Sequence, residues 1–216
     1  SPMSKDPFES SINRHFVQAY PSIGKFLPPG TGLLRIADLG GVKGAFYLNT
    51  TYLPGNVANI GNFIEEFVAT HNIPRENVVL YGPSKGGTGS FFHSLRAGWH
   101  AVSVDPITND EIYVLHHNDL HFTTGGIFPA NKEIVFADAI AAASSAHTLE
   151  PWSRVIITSQ NSAQKPYTDR TIEPIVDCVA VLDSRNPKIV DHPTVAANTL
   201  WLQLLAINQI LAGFTL

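Results

Sequence analysis

Apolar positions along this chain fall into two regimes. Short runs of β-branched and other apolar residues recur at 33–37, 78–81, 100–104, 154–158 and 178–182. Each run predicts a strand of a buried sheet. Between them the spacing changes to that of a helix. Val57, Ile60, Phe63, Ile64, Phe67 and Val68 follow the i, i+3, i+4, i+7 stripe after Pro54-Gly55-Asn56. Ile12, Phe16, Val17 and Tyr20 have the same spacing, limited by Pro21. Residues 134–146 are alanine-rich and 199–211 carry a leucine stripe, so both read as helices. Shorter helices are predicted over 109–115 and 171–177. Residues 45–52 are β-prone but ambiguous, and 1–11, 28–32 and 159–169 read as loops. Strands alternating with helices predict an α/β fold with a mostly parallel sheet and helices on both faces. At 216 residues, one domain over 1–216 is expected.

In such a sheet, sites form beyond the C-terminal ends of the strands. Ser84, Asp105, the 159–169 loop and His192 all fall at such ends. The most informative stretch is the second run and its sequel, Gly82-Pro83-Ser84-Lys85-Gly86. This is G-x-S-x-G, the signature of a nucleophile elbow, in which a serine stands on a sharp strand-to-helix turn. Glycines on either side let neighbouring backbone pass without a Cβ clash. The backbone N–H of Lys85 then points to where an oxyanion would form. The pentapeptide arises by chance in roughly one chain of this length in fifteen. Context therefore decides. An apolar strand precedes it, a glycine-rich helix start follows, and Gly98 stops that helix. Neither the phosphate-binding loop nor the dinucleotide fingerprint fits the same glycines.

A serine hydroxyl needs a base, and the base needs an orienting carboxylate. His192 stands after the last predicted strand and before the last helix, where this chain order puts the base. Asp169 is the only carboxylate in the 159–169 loop and is the first candidate acid; Glu173, Asp177 and Asp183 are its rivals. His116, His117, Asp119 and His121 form a polar cluster without metal-site spacing. A solvated loop or a substrate-facing wall is the expectation there, with His117 and Tyr167 as candidate substrate contacts and no metal.

Composition narrows the partners. The net charge of −4 and the lack of a basic run argue against nucleic acid. No stretch approaches the ~20 apolar residues of a membrane span. Cys178 is the only cysteine, so no internal disulfide forms, which is compatible with the cytoplasm.

The segment Leu80-Tyr81-Gly82-Pro83-Ser84-Lys85-Gly86-Gly87-Thr88-Gly89 resembles the elbow of one branch of the α/β-hydrolases. It is similar to bacterial capsule polysaccharide O-acetyltransferases and to the acetyltransferase-like protein of the accessory secretion system. The resemblance implies an α/β-hydrolase-like three-layer sandwich, with Ser84 as nucleophile, Asp169 as acid, His192 as base and the Lys85 N–H in the oxyanion hole. It implies O-acetyl transfer to a carbohydrate hydroxyl through an acyl-enzyme, with no bound cofactor and acetyl-CoA as acyl-donor substrate. An esterase with the same triad, and a non-catalytic binding or assembly module of this fold, are the alternatives. The early strand expected to carry a second oxyanion donor is not legible before Ile12. It is either truncated or reduced to residues 1–4.

Overall fold

The computed structural model describes residues 18–41, 44–115, 118–120, 122–151 and 153–214. Four parallel strands form the sheet, in the spatial order of the chain: β1 (Val79–Pro83), β2 (His100–Val104), β3 (Arg154–Thr158) and β4 (Val179–Asp183). Helix α1 (Asn56–Thr70) precedes β1, and α2 (Lys85–Ala97) joins β1 to β2. The short α3 (Glu111–Leu115) and α4 (Lys132–Ser145) join β2 to β3. Helix α5 (Lys165–Ile172) runs on into a 3₁₀ stretch, Glu173–Cys178, before β4. The chain then forms α6 (His192–Asn198) and α7 (Leu200–Leu211).

The strands bury both faces, which is why they read as continuous apolar runs rather than alternating ones. Alternate residues of a strand serve opposite layers. On one side Ile156 and Val179 join Phe91, Phe92 and Leu95 of α2, Phe136 and Ile140 of α4, and Ile172 of α5. On the other, Val102, Val104, Val155, Ile157 and Ala180 pack against Leu204, Ala206, Ile207 and Ile210 of α7. The sheet is thus the middle of three layers, as the alternation of strands and helices predicts. Helix α2 ends where expected, with Gly98 in the left-handed conformation at φ 67°.

Several predicted elements differ. Residues 33–37 form no strand. Leu33 and Leu34 are 50% and 42% exposed, and among the described residues β1 pairs with β2 alone. An apolar run without a neighbouring strand has no ladder to join. Residues 45–52 form turns, with Phe46 and Tyr47 both at positive φ. The predicted helix over 12–20 lies outside the described residues up to 17, and 18–20 are not helical.

Candidate active site

Ser84 occupies the sharp turn between β1 and α2, at φ 53° and ψ −117°. A non-glycine residue there costs of order 1–3 kcal/mol and persists only where its surroundings fix it. The surroundings here are backbone. Ser84 N–H donates to the Val104 carbonyl at 2.8 Å, extending the β1–β2 ladder by one rung. A Cβ on Gly82 would stand 2.4 Å from the Gly86 carbonyl carbon, and one on Gly87 would stand 2.8 Å from the Val104 oxygen. The elbow therefore needs glycine at 82 and 87. Gly86 itself has room for a side chain; it is the neighbour that Gly82 must clear. Lys85 opens α2, so its backbone N–H lies in the first helical turn, where such groups point out of the helix end.

His192 begins α6. Asp191 caps that helix, its side chain accepting from the His192 N–H at 2.7 Å, with Thr194 completing a capping box. The cap aims the imidazole back at the sheet. Its Nε2 lies 2.9 Å from Ser84 Oγ. Its Nδ1 lies 2.7 Å from Asp105 Oδ2. With a carboxylate at Nδ1, the neutral ring carries its proton there and presents Nε2 as an acceptor to the serine hydroxyl.

The carboxylate at His192 is thus that of Asp105, not Asp169. Asp105 follows β2 directly and, like Ser84, sits at positive φ, 47°. Its N–H donates to Ile157 O at 2.8 Å, again one rung beyond a strand. The side chain is 2% exposed and accepts from Thr158 Oγ1 at 2.6 Å and Ser162 Oγ at 2.5 Å as well as from His192. Asp169 lies in α5 rather than in a loop. Its side chain, 47% exposed, pairs with Lys165 one helical turn back at 2.8 Å. Asp183 accepts from Gln160 and faces Lys165 at 3.8 Å. Glu173 and Asp177 are exposed in the 3₁₀ stretch. None of these four makes a hydrogen bond or ion pair with His192. Asp105 was visible in the sequence as an acidic strand end; its signal was its place after the strand that follows the elbow helix.

A second segment borders the elbow. The buried Asp38 gathers the N–H groups of Ala45, Phe46 and Tyr47 at 2.9–3.1 Å, which folds the 44–47 loop back against it. Its far end rests on α2: the Tyr47 ring lies against Gly89, and His93 Nε2 donates to Tyr47 O at 3.0 Å. Lys85, itself buried, brings its Nζ to the Gly44 side of the loop, beside Asp38. Burial pushes the Tyr47 phenol up, and the Asp38 charge adds to it. Burial pushes His93 down to about 4, against the opposing hydrogen bond to Tyr47.

Tyr167 is half-buried on α5, with the Arg170 guanidinium 5.1 Å from its ring centroid. His117 lies outside the described residues. Among the described residues no cluster of His, Cys, Asp and Glu could hold a metal ion, and no helix is long and apolar enough to cross a membrane.

No protein-family model matches the sequence, and no curated protein matches it. Solved structures do. The Glycosylation Associate Protein (Gap123) complex from Streptococcus agalactiae superimposes at TM-score 0.52 and 16% identity, over 78% of this chain and 34% of that one. A fungal esterase from Rhizomucor miehei gives 0.51 and 15%, over 76% and 61%. A Pyrobaculum calidifontis esterase gives 0.50 and 11%, over 76% and 62%. The chain thus spans about a third to three-fifths of the solved chains it resembles. Together with the parallel sheet and its two helical layers, these likenesses establish an α/β-hydrolase-like fold.

Proposed function

We propose that this chain is a serine enzyme of acyl transfer, cleaving a carboxylic ester or thioester through an acyl-enzyme on Ser84. One observation carries the reading: Ser84 Oγ, His192 and Asp105 form a continuous relay, at 2.9 Å and 2.7 Å, on a turn whose strained serine has no evident structural role. His192 Nε2 takes the Ser84 proton as Oγ attacks the carbonyl carbon. Asp105 stabilises the imidazolium that forms and holds its tautomer. The oxyanion faces the Lys85 N–H at the start of α2. Collapse expels the alcohol or thiol, which takes the proton from His192. Water or a hydroxyl acceptor, deprotonated by the same ring, then releases the acyl group.

The esterases among the structural neighbours favour water as the acceptor. The likeness to a glycosylation-associated complex, together with the Ser84-Lys85-Gly86-Gly87 elbow, favours a second reading, acetyl transfer to a sugar hydroxyl. Intact-mass spectrometry tests both. Wild type and Ser84→Ala are incubated with p-nitrophenyl acetate and, separately, with acetyl-CoA, each with and without a panel of free sugars. A Ser84-dependent gain of one acetyl group supports the acyl-enzyme. Its discharge by water marks an esterase; discharge only with sugar marks a transferase. No adduct from either donor and no labelling by a fluorophosphonate would overturn the catalytic reading and leave a binding module.

A further inference from the structure

The turn between β3 and α5 touches both members of the acid–base pair. Ser162 Oγ donates to Asp105 Oδ2 at 2.5 Å, and that same oxygen faces His192 Nδ1. Thr158, the last residue of β3, donates instead to Oδ1. Both hydroxyls are buried, at 3% and 0% exposure. The Ser162 hydroxyl has one proton, and its orientation is fixed: Oγ accepts from Gln164 N–H at 3.1 Å, so the proton is directed at Asp105. The outer side of the turn holds the base. Ala163 N–H donates to Asp191, the cap of the helix that His192 begins, at 3.4 Å, and Asn161 Nδ2 donates to Ile189 O at 2.7 Å.

We propose, resting on the acyl-transfer reading, that Ser162 is a positioning residue that fixes Asp105 against His192 and limits how strongly that carboxylate holds the imidazole proton. Two donors share Oδ2. Each withdraws charge from it, so loss of the hydroxyl concentrates charge opposite the ring and makes the ring more basic. Thr158 serves the far oxygen and affects the ring less. The other charged groups on the elements around the pair are Lys85 and Arg96 on α2, Arg154 at the start of β3, Lys165, Asp169 and Arg170 on α5, Asp183 at the end of β4, Arg185 and Lys188 in the loop beyond it, and Asp191. Lys165, Asp169 and Asp183 are engaged with one another. Asp105 has no lysine or arginine partner among the ion pairs of the described residues.

The test compares wild type, Ser162→Ala, Ser162→Thr and Thr158→Val. The pH profile of kcat/KM for p-nitrophenyl acetate is measured alongside the proton NMR resonance of His192 Nδ1–H. Ser162→Ala should move the acid limb up by about one unit, the scale of a lost hydrogen bond to a charged group. It should lower kcat several-fold with KM nearly unchanged, and shift the Nδ1 proton resonance. Ser162→Thr should restore the wild-type limb, and Thr158→Val should move it by less than half as much. A limb and resonance that stay put in folded Ser162→Ala, or that move as far in Thr158→Val, would overturn the proposal. The resonance reads positioning without turnover. A wild type with no Ser84 adduct would therefore sink acyl transfer, while a resonance unchanged by Ser162→Ala would sink the role of Ser162.

Discussion

Two buried carboxylates follow β2, and the fold treats them differently. Asp110, 5% exposed, is matched by a formal cation. The Lys132 ammonium ion-pairs with it, donates to Phe122 O, and lies over the rings of Phe128 and Phe46 at 4.3 and 4.7 Å. Burial draws the Lys132 pKa down, and Asp110 opposes that shift. Asp105, 1% exposed, has hydroxyls and an imidazole in place of a lysine. A lysine stays charged whatever the substrate does; an imidazole gains and loses its charge during a reaction. The first arrangement stabilises a loop. The second, on the proposed mechanism, holds negative charge ready for a cation that exists only transiently.

Asp105→Asn breaks this contrast at its strongest point. It should lower Ser84-dependent ester turnover by about 10⁴-fold, the scale seen when a triad acid becomes an amide, with little change in Tm. Asp110→Asn should do the reverse, and kcat/KM on folded protein distinguishes them. Equal losses of turnover would abolish the distinction. Next in size, Lys132→Met leaves Asp110 buried beside no cation and should cost about 3–5 kcal/mol in urea unfolding, while turnover per folded molecule persists.

His93 sharpens the comparison as a buried titratable group whose ring donates to a backbone carbonyl. Its pKa falls from 6.5 to about 4 on folding. Between those values the unfolded chain binds more protons at this site than the native one. Its contribution is complete above pH 6.5 and is lost as pH falls toward 4. His93→Gln, which keeps a donor for Tyr47 O, should flatten stability against pH in that window by up to about 1.4 kcal/mol per unit, read by denaturation at a series of pH values. Smallest of all, Asp169→Asn removes one half-exposed ion pair. It should change stability by less than about 1 kcal/mol and turnover by less than about twofold, in direct contrast to Asp105→Asn.

The elbow turn and the place of His192 beside it were legible in the sequence because their signals are local. Gly82 and Ser84 mark a turn that few other patterns produce, and His192 follows a strand and a capping residue. The carboxylate at His192 was not, because its identity depends on which strand end lies beside His192, a relation between segments far apart in the chain. Asp169 satisfied the expected chain order, yet Pro166 near the start of α5 begins a helix there and places it one turn from Lys165. Residues 33–37 show the same limit from the other side. Their apolar run suits a strand, but a strand is a property of pairs, and no partner for it lies among the described residues.

The rungs at Ser84 and Asp105 bind the candidate site to the sheet itself. The amide of Ser84 is held by β2, that of Asp105 by β3, and that of Ser184 by Thr158 of β3. Ser84 and Asp105 are therefore the next row of one ladder rather than ornaments on separate loops. Amide hydrogens at 84 and 105 should exchange with deuterium only as fast as the central strands open. On heating, the relay should vanish together with the tertiary structure instead of fraying ahead of it.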